Sequence, residues 1–393
     1  MIRFLLGHGT APINVNRPLT VLAAICIAVI GPDVFIVQPG FVQGLVTYYG
    51  FSEQDAGYVA SAEMWGMAIT TVLMSFIANR VNWRGALLFS IAVIVLGNLA
   101  SLTVVSVTQF SLWRFVTGLG SGTLVSLSFT MIGLTNKPDR NFGFLIMGVL
   151  SYGAVGLWLM PSAFTLFGMR GVIVFFALFA FCALPLLRLL PTSGEEHVQI
   201  EEDAVDLPRG LRALAVATMF IYFLGQGVVW AYLFLIGTNA GVAEQAVADG
   251  LMLSQFAGVA GALAAAVVGK RFGRLSPISL GIVAGILPLA FLFGEFSALT
   301  YMVVVCVYNF AWNMTHPYLL AAMASFDRGG RLVVHAIGGQ MLGLAVGPAL
   351  AALVIGEHDY SRVLLLGMVF FVLSWGLILP PILSQRRRLA ARI

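Results

Sequence analysis

Charge is what this chain has least of. Of its 393 residues only 10% are Asp, Glu, Lys or Arg, while 60% are hydrophobic; a soluble domain carries about 25% charged residues. With a mean hydropathy of +0.96, that balance excludes an ordinary water-soluble domain. Cysteine is nearly missing as well. The three present, Cys26, Cys182 and Cys306, lie inside apolar runs, so neither a disulfide framework nor a cysteine metal site is expected. The net charge of +4 is too small and too scattered to suggest a nucleic-acid partner, and is better explained by loop arginines that set membrane topology. No zinc spacing, phosphate-binding loop or nucleophile–base pattern occurs, so no enzymatic activity, metal or cofactor is expected. The opening MIRFLLGHGTAPINVNRP lacks the basic start and compact apolar core of a cleaved signal peptide; the first apolar run is expected to act as the insertion signal.

What is abundant is long apolar sequence. A membrane-crossing helix needs about 20 mostly apolar residues, and apolar length together with Gly/Pro punctuation predicts twelve spans, at residues 18–47, 54–78, 85–107, 109–134, 142–167, 171–190, 210–238, 246–269, 277–296, 299–326, 331–355 and 361–383. Between the sixth and seventh lies PTSGEEHVQIEEDAVDLPR, residues 191–209, the one extended polar stretch inside the chain. It reads as a linker between two halves, residues 1–190 and 210–393, each a six-helix bundle. The fold class is therefore an all-α polytopic membrane protein of twelve transmembrane helices. Nearly all of the 21 Lys and Arg fall on one side of those spans, among them Lys137, Arg140, Arg328 and Arg331; Arg170 and Arg362 fall on the other side with Glu53, Asp55, Glu244, Asp249, Glu357 and Asp359. The positive-inside rule then puts both termini in the cytoplasm of a plasma-type (inner) membrane. A monomer in the lipid bilayer is expected.

One cation breaks the pattern. Arg114 sits in QFSLWRFVTGLGSGTLVSLSFTMIGL, about 8 Å inside the fourth span at roughly 1.5 Å per residue. A charge at that depth is expensive and should face the protein interior or water with a partner. Gly118, Gly120 and Gly122 follow it and allow neighbouring backbones close approach. Two acids are candidates for its company. Asp33 lies in the first span between Gly31-Pro32 and Pro39-Gly40, which interrupt helical hydrogen bonding, and Glu63 lies about 13 Å into the second span by the same rise.

The halves repeat. The spacing that relates Asn79, after the second span, to Lys270, after the eighth, also carries Gly148, Tyr152 and Gly156 of the fifth span to Gly339, Gly343 and Gly347 of the eleventh. Secondary transporters are commonly built from such repeats, with the binding site near the midplane.

These features resemble the major facilitator superfamily of transporters. Its loop signature, G-x-x-x-D-R-x-G-R-R, is matched after the second span by Ser75–Arg84, which keeps Arg80 and Arg84 but has Asn79 and Asn82 in place of the acid and the later glycine. After the eighth span Arg271, Gly273 and Arg274 are kept and Lys270 stands where the acid belongs. The fourth-span pattern R-x-x-x-G-x-G is intact as Arg114, Gly118 and Gly120. The G-P-x-x-G-G element of the family's antiporters is absent from the fifth span, which reads GVLSYGAVGLWLMP. The resemblance implies alternating access, gating by the signature loops (Asn79, Arg80, Arg84, Lys270, Arg271, Arg274) and a central cavity lined by spans one, four, seven and ten.

Two of those spans carry a polar and aromatic face. Asn309, Asn313 and His316 fall at i, i+4 and i+7 of the tenth span beside Trp312; Tyr222, Gln226 and Trp230 fall at i, i+4 and i+8 of the seventh. Such spacing aligns side chains on a helix. Either they contact substrate or they serve only as interhelical hydrogen bonds, and His316 is open between proton relay and packing. Asp33, Glu63 and Arg114 are the expected proton-coupling set, Arg114 also meeting an anionic group of the substrate; a static ion pair is the alternative. The expected function is proton-coupled uptake of a small organic anion. Efflux of amphipathic compounds in exchange for protons is the alternative, and a non-transporting receptor or scaffold is a third class that a retained intramembrane charge set argues against.

Overall fold

The computed structural model describes residues 13–104, 106–194, 204–269, 271–328, 331–356 and 359–390. Lys270, Glu357 and the greater part of the expected linker, residues 195–203, lie outside the described residues. The described residues are predominantly helical, and helical segments fall at each of the twelve expected spans. Among the described residues nine helices are long and apolar enough to cross a bilayer. One of these, Arg140–Leu189, holds the fifth and sixth spans together, divided at Gly168, whose φ of 64° is a conformation only glycine adopts readily.

The two expected spans outside those nine are the informative ones. The first is not one helix but three, Pro18–Ile30, Asp33–Ile36 and Gln38–Tyr49. Pro32 and Pro39 lack the N–H that would continue the ladder, so the breaks fall where the sequence put them. The tenth, Ala298–Ser325, is continuous; Asn309, Asn313 and His316 lower its hydropathy. Capping is conventional: Ser52 accepts from the Asp55 amide, Asn82 from Gly85 and Ser297 from Thr300, each satisfying an orphan first-turn donor. Outward-facing residues are large and apolar, with Phe89 and Leu166 both 72% exposed and Val267 71%. Water would not tolerate so much apolar surface; lipid does, which makes this a multi-pass membrane protein.

By contacts the chain divides into two compact units, residues 1–153 with 162–197, and residues 154–161 with 198–393. Both are held by glycine contacts in the same arrangement. In the first, a Cβ on Gly66 or Gly118 would strike the facing backbone, Phe115 O and Glu63 O respectively, so the second and fourth spans touch main chain to main chain. Gly148 of the fifth span lies against Ile25 and Val29 of the first. In the second, Gly261 of the eighth span meets Phe310 of the tenth, while Gly339, Gly343 and Gly347 of the eleventh pack on Val216, Phe220 and Gly227 of the seventh. Close backbone approach through small residues is how membrane helices gain packing energy without a hydrophobic driving force.

Candidate functional site

The glycine contacts of the first unit are what bring its charges together. With Gly118 seated on the main chain of Glu63, Arg114 lies one turn away on the same face and reaches the Glu63 side chain. The contact is bidentate: Arg114 Nε donates to Glu63 Oε2 at 3.1 Å and Nη2 donates to Oε1. The third nitrogen, Nη1, donates to Asn98 Oδ1 at 2.6 Å, and the amide of Asn98 is itself fixed because its Nδ2 donates to Ile94 O at 3.0 Å. The ring of Phe41 covers the guanidinium at 5.2 Å. Arg114 is fully buried, and Glu63 and Asn98 are 5% and 1% exposed. All three guanidinium nitrogens are therefore engaged, in the planar fork geometry that only arginine supplies.

Asp33 is different. It opens the short middle helix of the first span and is 2% exposed. Oδ1 accepts from the Val34 amide at 2.8 Å; among the described residues Oδ2 has no hydrogen-bond partner. Glu63 and Arg114 both act on it electrostatically, and it acts in turn on Tyr152. The three ionisable groups expected to meet do meet, but as a closed Glu63–Arg114 pair with Asp33 beside it. Asn98, Phe41 and Tyr152 complete the cluster. The sequence reading missed Asn98, although an asparagine in the apolar third span was the available signal.

The second unit holds the polar and aromatic face. Tyr308 donates its hydroxyl to Gln226 Oε1, and Tyr222 hydrogen-bonds with Gln226 and Thr315. Asn313 Nδ2 donates to Asn309 Oδ1 at 2.7 Å, and Asn309 Nδ2 donates to Ser254 Oγ at 3.1 Å. Trp230 and Trp312 make an edge-to-face pair with centroids 5.8 Å apart. His316 Nε2 is 3.0 Å from Gln340 Oε1, and its ring lies edge-on to Phe223. Tyr222, Gln226, Trp230 and Asn309 are buried, whereas Trp312, Asn313 and His316 are half-buried. The structure thus brings all seven expected residues onto two packed helices and adds Tyr308, Ser254, Thr315 and Gln340. Of these, Tyr308 was legible one residue before Asn309.

Of the signature-loop residues, Asn79, Arg80 and Arg271 are exposed and Arg274 is half-buried. Arg84 is 2% exposed, and its Nε donates to Leu190 O at 2.7 Å. Trp83 works beside it: the main-chain N–H donates to Thr192 O and the indole to Ala78 O. Arg84 accordingly ties the end of the sixth span to the loop after the second.

Comparison with known proteins agrees with this architecture. The family model described as Major Facilitator Superfamily matches residues 23–332. Over 150 residues the chain is 27% identical to the putative niacin/nicotinamide transporter NiaP of Bacillus subtilis (strain 168), a match that takes in 37% of this chain and only 37% of that protein. The crystal structure of a D-xylose-proton symporter superposes with a TM-score of 0.71 at 15% identity, over 92% of this chain and 97% of that one. A likeness at that identity is one of fold.

Proposed function

Because the chain belongs to the Major Facilitator Superfamily, it is a membrane transporter of small molecules and not an enzyme, and we propose that it takes up a small organic anion together with a proton by alternating access. The observation that carries proton coupling is Asp33, a carboxyl group buried at a helix break with one oxygen unpartnered. Burying a charge without a partner is far more costly than burying the neutral acid, so the site favours a proton whenever it is closed to water. The neighbouring Glu63–Arg114 pair gives that equilibrium a handle: any step that loosens Arg114 from Glu63 changes the field at Asp33. A substrate carboxylate competing with Glu63 for the guanidinium would do so, which couples solute to proton.

In this reading Tyr222, Gln226, Asn309 and Asn313 recognise the polar edge of the solute and Trp230 and Trp312 its flat apolar body; His316, bonded to Gln340, is a packing element. The name of the Bacillus relative, a niacin/nicotinamide transporter, fits a flat carboxylic acid. The halves 1–190 and 210–393 are the moving bodies, joined by 191–209, with both termini cytoplasmic and Asn79, Arg80, Lys270, Arg271 and Arg274 gating that end. The chain acts as a monomer in the inner membrane.

One observation favours the opposite direction. With every Arg114 nitrogen engaged, the charge set is neutral when Asp33 is protonated and negative when it is ionised, which suits export of a lipophilic cation in exchange for protons. Transport assays in proteoliposomes distinguish the two. Under an inward proton gradient, uptake reads on accumulation of labelled nicotinate or benzoate, abolished by a protonophore. Accumulation of tetraphenylphosphonium driven by the reverse gradient, with none of the acids, would replace uptake by efflux.

A further inference from the structure

The second unit carries a charged depression of about 600 Å³, away from the buried polar face. It is lined by Arg209, Arg212, Arg331 and His335 together with Asp206 and Asp327. Its acids are already engaged. Asp327 accepts from Arg212 Nη1 at 3.1 Å through Oδ1 and caps the Leu332 amide at 3.1 Å through Oδ2. Asp206 Oδ1 accepts from Arg212 Nη2 at 3.3 Å and from the Arg328 amide at 3.2 Å. Arg212 spends its remaining Nε on Leu207 O at 2.7 Å. The floor is therefore an ionic network of one guanidinium against two carboxylates, and it is Arg209 and Arg331 that leave the depression with three arginines against two acids.

Arg209 and Arg331 are not part of that network. Both are exposed, and among the described residues neither guanidinium makes a hydrogen bond or ion pair. Each is the first residue of its helix, Arg209–Trp230 and Arg331–Val354, where the helix dipole disfavours a cation. The first of these helices has no side-chain cap, Pro208 preceding it; the Leu211 amide is taken by Pro208 O at 3.0 Å, which leaves the two amides ahead of it as open donors. His335 follows Arg331 by one turn. Two unpaired guanidiniums, uncapped amides and a helix-start field in one concavity all favour an anion with several oxygens, and a phosphate offers bidentate geometry to arginine.

We propose that this depression binds a phosphate ester, held between Arg209 and Arg331 over the Arg212–Asp327 floor. The site lies at the starts of the seventh and eleventh spans, where basic pockets recognise anionic lipid headgroups; a soluble phosphate would satisfy the same groups.

The test uses the full chain purified in neutral detergent. Phosphatidylglycerol retained per protein is measured by native mass spectrometry, with phosphatidylcholine as the uncharged comparison, and melting temperature is followed with inorganic phosphate. Expected is retention of phosphatidylglycerol over phosphatidylcholine, weakened about tenfold by Arg209→Gln with Arg331→Gln, which corresponds to about 1.4 kcal/mol. The control Arg386→Gln with Arg387→Gln, exposed tail arginines outside the depression, should leave it unchanged. If inorganic phosphate raises the melting temperature in an Arg209- and Arg331-dependent way and the lipid is not retained, the site takes soluble phosphate. Equal losses in both double variants, or no Arg209- and Arg331-dependent binding of either probe, would overturn the proposal.

Discussion

The two units have the same helical repeat and place their polar groups in opposite ways. In the first, charge is inside: Asp33, Glu63 and Arg114 are buried within spans, while at the joint after its fourth span a neutral amide, Asn16 Oδ1, accepts from the Asn136 main chain at 2.6 Å. In the second, the corresponding joint holds an ion pair. The spacing that relates the repeats carries Asn136 to Asp327, which is bonded to Arg212. Its buried interior holds Tyr222, Gln226, Tyr308 and Asn309, with His316 half-buried beside them. The backbone packing tolerates either solution, since the glycine contacts that define it are indifferent to which polar groups lie beyond them. Under the proposed function the difference is a division of labour: the first unit would hold and release the proton, the second would recognise the solute through uncharged side chains.

The comparison breaks most visibly at Glu63. Replacing it by Leu leaves Arg114 buried and uncompensated, a loss of about 3–5 kcal/mol, whereas Glu63→Leu with Arg114→Met should recover most of it. Thermal unfolding of the purified protein reads this directly, and a single variant as stable as the double would make the pair energetically idle. Next come the shared glycines. Gly118→Ala and Gly343→Ala each drive a Cβ into facing backbone, Glu63 O and Phe220 O, and each should cost about 1–3 kcal/mol. Gly376, with nothing within 4 Å of its Cβ position, should accept Ala without loss. If the two units respond unequally, their packing is not the same solution twice.

Smaller effects sharpen the contrast. Asn309→Leu removes the side-chain bonds to Ser254 and Asn313 and should cost about 0.6 kcal/mol for each, the average for polar contacts between membrane helices, while weakening substrate binding measured by ligand-induced thermal shift. A loss as large as that of Glu63→Leu would mean that the polar interior of the second unit supports the fold as strongly as the buried charges support the first. Least of all, Asp206→Asn at the half-exposed Arg212 contact should change stability by about 0.2–1 kcal/mol, and less in high salt.

Much of this was legible in the sequence because membranes simplify the physics. Apolar length with Gly/Pro punctuation marked the spans, and Pro32 and Pro39 marked the break that leaves Asp33 beside non-helical backbone. The depth of Arg114 required a partner, and Glu63 was at a matching depth. What the sequence did not reveal was which acid takes the arginine, since rotation about the helix axes decides that and apolar length carries no rotational signal. Gly66 and Gly118 set that rotation by admitting backbone contact only on their own faces. The partner of Arg84 was hidden for a related reason: the loop signature marks the arginine but not the Leu190 carbonyl, far along the chain at the end of a helix, that it reaches while buried.

The central claim is that Asp33 carries the coupled proton while the Glu63–Arg114 pair tunes it. It is tested most directly by reconstituting Asp33→Asn in proteoliposomes and measuring both gradient-driven accumulation and substrate exchange at equal pH on the two sides. Asparagine keeps the acceptor for the Val34 amide but cannot take up and release a proton. The account predicts that accumulation under a proton gradient is abolished while exchange persists; accumulation retained in Asp33→Asn would contradict it.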